Sequence, residues 1–389
     1  MKTFSFQPSF EGLSLGPSQV CESIRLVPLI REATVEGIRL HRTAAAAIGA
    51  ITKGSLERPE QAYVSYLPHA MVVDTDDGPA ATMGTALMDG ALEDGAHGAL
   101  NERLRHGLYH RMAKGVRGRR KTTLRFLPLH LAMEGFLVHH FKGPARIWPE
   151  YTHEVMRRGL SPRYEHAVRG AYLPGLDDAL RLFELHEGQS GVLFFVGDRL
   201  RSAIVAPSAE AYRKMHRALL TDFFADSIRL DAAYDTVPDW TVDANETPKS
   251  LDDLAGFVQR IRDDWSEFHA AMADELFGRA HEATRVYKLR GFELIRFLPD
   301  FSPSDRHHIG EAIVDGKGRL AYLKTYRLSR AQAKRGYLLS LLADHDWDLS
   351  ATAESLGASR SELVLRIRNA GFAYLFRAHV IQDALAGRL

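Results

Sequence analysis

The chain has 389 residues, 45% of them hydrophobic and 25% charged, with a formal net charge of +1. That length supports two or three domains with a substantial core, and the near-zero charge argues against a protein that coats nucleic acid along its whole surface. The single cysteine, Cys21, excludes a disulfide framework and a cysteine-rich zinc site. The opening MKTFSFQPSF lacks the apolar run of a signal peptide, and no stretch is apolar for long enough to span a bilayer. A cytoplasmic protein without membrane contact is expected.

In chain order, Ile24–Leu29 (IRLVPL) and Leu124–Leu129 (LRFLPL) are similar apolar runs with a proline near the end, as at a sheet edge. Ala62–Leu67 and Ala70–Asp74 read as strands, with a turn at Asp76–Pro79, and Gly84–Gly107 reads as helical. Arg103 to Lys121 carries eight lysines and arginines and no acid. Its end, with Arg117, Arg119, Arg120 and Lys121, reads as an exposed loop that would bind the phosphates of DNA, RNA or a nucleotide. A solvated basic loop without a ligand is the alternative.

Leu124–Phe141 reads as strands. Gly191–Val196 and Arg199–Ala206 form a hairpin pattern around Gly197-Asp198, and Pro207-Ser208 opens an amphipathic helix to about Ile228. Asp239–Ser250 is polar and turn-rich, the composition of a linker. Leu251 to Tyr287 follows a helical pattern interrupted near Gly278, and Ala312–Lys324 reads as a hairpin around Asp315–Gly318. Glu184, His186 and Glu187 bring carboxylates and an imidazole within four residues, a set that could hold a metal or move protons. Their spacing is not that of the H-E-x-x-H zinc helix, so turn and strand hydrogen bonding is the alternative. No phosphate-binding G-x-x-x-x-G-K-[ST] is present, and Gly12–Gly16 matches G-x-S-x-G without the preceding strand that a nucleophile elbow needs. No cofactor is expected.

Three stretches in the middle of the chain carry a resemblance. They are Gly143–Tyr151 (GPARIWPEY), Leu173–Leu180 (LPGLDDAL) and Glu184–Gly191 (ELHEGQSG), followed by the hairpin. This order resembles the bacterial ARG-and-rhodanese-phosphatase-superfamily-associated protein domains, over Leu124 to Ile228 and more loosely around IRLVPL. The resemblance implies an α+β domain of β-hairpins closed by a helix, and genetic company with defence-type proteins. It supplies no reaction and no catalytic residues.

Trp347 to Phe372 has the layout of a helix-turn-helix: Ala353 in a second helix, Leu356-Gly357 at its end, and a capping box at Ser359–Glu362. Leu363 and Ile367 would seat a third helix on the first two. The segment Gly336–Phe372 is similar to the Fis-type helix-turn-helix of bacterial regulators. The similarity implies a recognition helix near Ser359–Ala370, with Arg360, Ser361, Arg366 and Arg368 toward DNA. Val364 and Leu365 stand where such helices usually carry polar groups. Ala331 to Leu389 holds seven lysines and arginines against six acids, a small electrostatic footprint for phosphate binding.

The expected fold is α+β and multidomain: an N-terminal α+β region with the basic loop (1–123), a central α+β domain (124–238), a linker, helical connector and hairpin (239–330), and a trihelical module (331–389). The expected function is a non-enzymatic DNA-binding or adaptor protein of a defence-type operon. DNA, protein partners from the same operon and a second copy of the chain are its expected partners. Two alternatives remain: a scaffold whose third helix offers Val364 and Leu365 to a protein, and a metal-dependent enzyme built on Glu184, His186 and Glu187.

Overall fold

The computed structural model describes residues 3–21, 23–40, 71–75, 78–82, 110–116, 119–125, 137, 141, 183–197, 199–218, 248–289, 291–301 and 308–389. The first strands are β1 (Thr3–Phe6), β2 (Leu13–Leu15), β3 (Gln19–Cys21) and β4 (Ile24–Arg31). Next come β5 (Arg39–Leu40), β6 (Met71–Thr75), β7 (Gly78–Thr82), β8 (His110–Val116) and β9 (Arg119–Arg125). The central hairpin is β10 (Gln189–Val196) and β11 (Arg199–Val205), followed by helix α1 (Ala209–Ala218). Helices α2 (Leu251–Met272) and α3 (Asp274–Phe277) precede β12 (His281–Leu289), β13 (Phe292–Leu298), β14 (His308–Asp315) and β15 (Leu320–Arg327). The chain closes with α4 (Arg330–Asp344), α5 (Leu349–Ser355), α6 (Arg360–Ile367) and α7 (Ala378–Leu385).

The architecture is α+β around one large antiparallel sheet of ten strands in the order β1-β12-β13-β14-β15-β11-β10-β4-β2, with β3 also paired to β4. Strands from the segments 1–123, 124–238 and 239–330 all enter this sheet. A small three-stranded sheet, β5-β6-β7, and the hairpin β8-β9 lie outside it.

The sheet is curled, and chain length forces the curl. Eight strand-to-strand steps separate β1 from β2, which would span about 38 Å if flat. The seven residue steps from Phe6 to Leu13 reach at most about 25 Å. The two ends of the sheet therefore approach each other around a shared core. Phe6, from one end, packs on Phe297 at 5.6 Å between ring centroids, and Phe6, Leu13 and Leu15 all pack against the same buried cluster. Its inward residues alternate along each strand: Val27 and Leu29, Leu193 and Phe195, Ala203 and Val205, Ile295 and Phe297. Ala273, Leu276 and Phe277 of the α2–α3 corner belong to it, and Phe10 stacks on Phe277 at 4.0 Å. Gly191 is required where β10 crosses β4, because a side chain there would overlap the Ile204 carbonyl and press on Leu29.

The 189–205 hairpin and the 308–327 hairpin lie where the residue pattern places them. The helical reading of Leu251 to Tyr287 is corrected. The helices end at Phe277, and His281–Leu289 is a strand held between β1 and β13. Local periodicity yields there to the burial of Ala283 in the core. The strand reading of Leu124–Phe141 is corrected in part: β9 stops at Arg125 and Leu137 is helical. Ala62–Leu67, Gly84–Gly107 and most of the expected linker lie outside the described residues. Among the described residues no helix is long and apolar enough to cross a membrane.

The α2–sheet contact carries a titratable group. His269 is buried between the helix and Phe195, with Arg25 Nη1 at 3.5 Å from its Nε2. Burial, and then the Arg25 charge, depress its pKa from 6.5 to about 4. Burial alone does the same to His216, whose Nδ1 lies 3.0 Å from the Tyr212 hydroxyl. The folded state resists protonating both rings, so their contribution is complete above pH 6.5 and is lost as pH falls toward 4. Urea titrations between pH 7 and pH 4 should show stability falling, with a shallower slope in His269→Phe. An unchanged slope in that variant would contradict this placement of His269.

Candidate functional site

Helices α4, α5 and α6 each start at a side chain that satisfies free amides of the first turn. Ser329 and Gln332 form a capping box on α4, with Ser329 N donating to Gln332 Oε1 at 2.8 Å and Gln332 N to Ser329 Oγ at 3.2 Å. At α5, the amides of Ser350 and Ala351 donate to Asp348 Oδ1 at 2.7 and 2.8 Å, which holds that carboxyl below its ordinary range. At α6, Ser359 and Glu362 form the second capping box, and the Ser359 amide and hydroxyl hold Glu362 low in the same way. Gly357, at φ +58°, supplies the left-handed residue between α5 and α6. Leu363, Val364 and Ile367 are fully buried, as is Phe372 beyond them. Gly371, at φ +96°, ends the turn that follows α6, and Arg335 Nε of α4 donates to Ala370 O at 2.7 Å to hold it.

Arg360, Arg366 and Arg368 are exposed, and among the described residues none of them forms an ion pair. They do not share one face. At about 100° per residue, Arg366 and Arg368 fall on opposite sides of Leu365, while Arg360 lies toward the core side at the helix start. The outward strip between Arg366 and Arg368 is Glu362, half-buried Leu365 and Asn369. The expected outward positions of Ser361 and Val364 are corrected. Helix α7 packs along α6, Ser361 Oγ accepts from the Leu389 amide at 3.3 Å, and both residues are buried. The physical reason is the apolar face of α7, whose Ala384 is also buried there.

Of the basic segment, Arg119, Arg120 and Lys121 lie in β9, paired with Val116, Gly115 and Lys114, so the expected loop is a strand at those three residues. Arg117 lies outside the described residues. Glu184, His186 and Glu187 lie on the stretch that leads into β10. Among the described residues no group of three or more His, Cys, Asp or Glu side chains is placed to hold a metal. This stretch is tied down as a turn instead. Gln19 Nε2 donates to Glu184 O at 2.7 Å and its Oε1 accepts from Glu184 N at 2.8 Å, while Gln189 Oε1 accepts from His186 N at 3.1 Å.

The structure assembles a second polar group that the residue pattern did not indicate. Arg296, Glu311 and Lys324 are cross-strand partners on β13, β14 and β15, on the sheet face opposite the main core. Arg296 donates through Nε at 2.7 Å and Nη2 at 2.5 Å to Glu311 Oε1. Glu311 and Lys324 are fully buried, with Tyr322 and Tyr326 two residues to either side of the lysine. Burial raises the Glu311 pKa against the pull of Arg296 and Lys324, and burial lowers that of Lys324 well below the ordinary lysine range. The three residues stand 13 to 28 positions apart, and strand register brings them together.

Removing one member of a buried ion pair leaves the other charge uncompensated. Arg296→Leu should lower unfolding stability by about 3–5 kcal/mol. The triple change Arg296→Leu, Glu311→Leu, Lys324→Met should recover most of it. Urea denaturation checks both; a single variant as stable as the native chain would refute the pairing.

No curated protein and no solved structure matches the chain. The ARPP-2 family model matches residues 8–290. This range runs from the residues before β2 through the central hairpin and α2 into β12, well beyond the stretch that carried the sequence resemblance, and leaves β13–β15 and the C-terminal helices outside it. With 8–290 spanning most of its length and most of the curled sheet's strands, the chain belongs to the ARPP-2 family.

Proposed function

We propose that this protein is a non-enzymatic DNA-binding or adaptor component of a bacterial defence-type operon, and that α4–α6 form a helix-turn-helix of the Fis type. The observation that carries the reading is the α5–turn–α6 unit. It combines a left-handed Gly357, a capping box at Ser359, and exposed Arg366 and Arg368 flanking one outward strip. In this reading Arg366 and Arg368 reach phosphates on the two walls of a groove, while Leu365 and Asn369 meet base edges. Ser361 positions α6 against the chain end rather than touching DNA. The ARPP-2 body would then bind a protein from the same operon.

Fluorescence anisotropy on duplex DNA across a salt series tests this. Replacing both Arg366 and Arg368 by Ala should weaken binding at every sequence and lower the slope of log K against log salt by about 2. Binding that is absent, or that ignores the double substitution, would overturn it. A scaffold reading draws on one specific observation: α7 covers Ser361 and Val364 and leaves Leu365 as the apolar group at the surface of α6. In that case Leu365→Asp should abolish capture of a protein partner without altering any DNA affinity.

A further inference from the structure

Helix α7 is held less firmly than the three helices before it. It has eight residues, and its N-cap, Arg377, makes no side-chain hydrogen bond to the first turn. Helices α4, α5 and α6 are all capped by side chains. Within α7 only Ala384 is buried; Val380, Ile381 and Asp383 are half-buried, and Leu385 is 52% exposed. A helix this short does not persist alone in water. When α7 leaves α6 it therefore unfolds, and such a local opening costs far less than unfolding the whole molecule.

Its docking place gives that opening a consequence. Ser361 and Val364 are buried where α7 packs along α6, and the Leu389 amide donates to Ser361 Oγ at 3.3 Å. At about 100° per residue, the flank of Ser361 and Val364 lies roughly 90° from the outward strip of Leu365 and Asn369. Arg368 stands on the same flank, one turn beyond Val364. Docked α7 is thus beside the face that would meet DNA, not behind it. Two helices packed side by side, each about 10 Å thick, are together roughly 20 Å across. The major groove is about 12 Å wide and admits one helix. Docking of α7 and entry of α6 into a groove exclude one another.

We propose that α7 is an autoinhibitory helix: docked on α6 it bars that helix from a duplex groove, and its release uncovers Ser361 and Val364 and admits DNA. The inference rests on the DNA reading of α4–α6. Observed duplex affinity is then the affinity of the open form multiplied by the fraction open, so whatever steadies α7 weakens DNA binding.

Fluorescence anisotropy of the full chain on one duplex at fixed salt tests it. Ala384→Glu places a charge where α7 is buried and should bind about tenfold more tightly, although the added negative charge by itself disfavours DNA. Position 377 has the extended backbone of a capping residue, at φ −71° and ψ 151°. Arg377→Ser should therefore bind about fivefold more weakly than Arg377→Ala, because serine caps α7 and alanine does not, while both remove the same cation. In the native chain, added duplex should speed hydrogen exchange at the amides of α7 and not at those of α6. Native binding that Ala384→Glu does not tighten, two Arg377 variants of equal affinity, or α7 amides that stay protected on duplex would each overturn the autoinhibition and leave the DNA reading standing. Absence of binding in the native chain and in Ala384→Glu alike would overturn both.

Discussion

The architecture depends on one short join, where β11 meets β15. Only Ile204–Lys324 and Val205–Leu323 pair there through the ladder, yet this contact fuses β2, β3, β4, β10 and β11 to β12–β15 and β1. Side chains extend it where the backbone ladder stops. Ser202 Oγ donates to Thr325 O at 2.6 Å, and Thr325 Oγ1 accepts from Ala203 N at 2.8 Å. The Arg31 guanidinium of β4 spans the same region, donating to Ala206 O at 3.2 Å and Leu320 O at 2.7 Å. Burial, with the nearby Arg319 charge, lowers the Arg31 pKa to about 10, so it still enters the join as a cation. A buried cation that satisfies carbonyls from two strands at once fixes their relative position in a way apolar packing does not.

The two faces of the sheet are different environments because of that join. The inner face is a continuous apolar core, closed by the α2–α3 corner and by the aromatic rings of Phe6 and Phe10. The opposite face carries Arg296, Glu311 and Lys324 in one cross-strand row. Desolvation penalises each of these charges more than a surface position would, and their mutual proximity offsets part of that penalty. Such a row constrains register, because a one-residue slip of β14 would move Glu311 into the apolar core. It is therefore a reason why this sheet has a single alignment.

The ARPP-2 match covers the strands from β2 to β12, while α4–α7 lie beyond it. The unit is anchored by the Trp347 indole, which donates to Phe141 O at 3.3 Å, and by Gly336, whose missing side chain admits the Phe301 ring. Its charges nearly cancel, seven lysines and arginines standing against six acids from Ala331 to Leu389.

Local chemistry made part of the molecule legible from its residues. The Ser359–Glu362 capping box, the Gly357 turn, the 189–205 hairpin and the strands flanking Asp315–Gly318 each rest on interactions within a few positions, and each is formed as the residues imply. What the residues left undecided is everything set by distant contacts. His281–Leu289 is compatible with a helix until β1 and β13 flank it. Ser361 and Val364 look outward until α7 folds over them. The backbone of Glu184 and His186 is held by Gln19 and Gln189, the first of them about 165 positions away. The Arg296–Glu311–Lys324 row exists only in register. Capping and turns close over a few residues and are written in order along the chain. Strand order and burial join segments up to about three hundred residues apart, and only the packed core selects them.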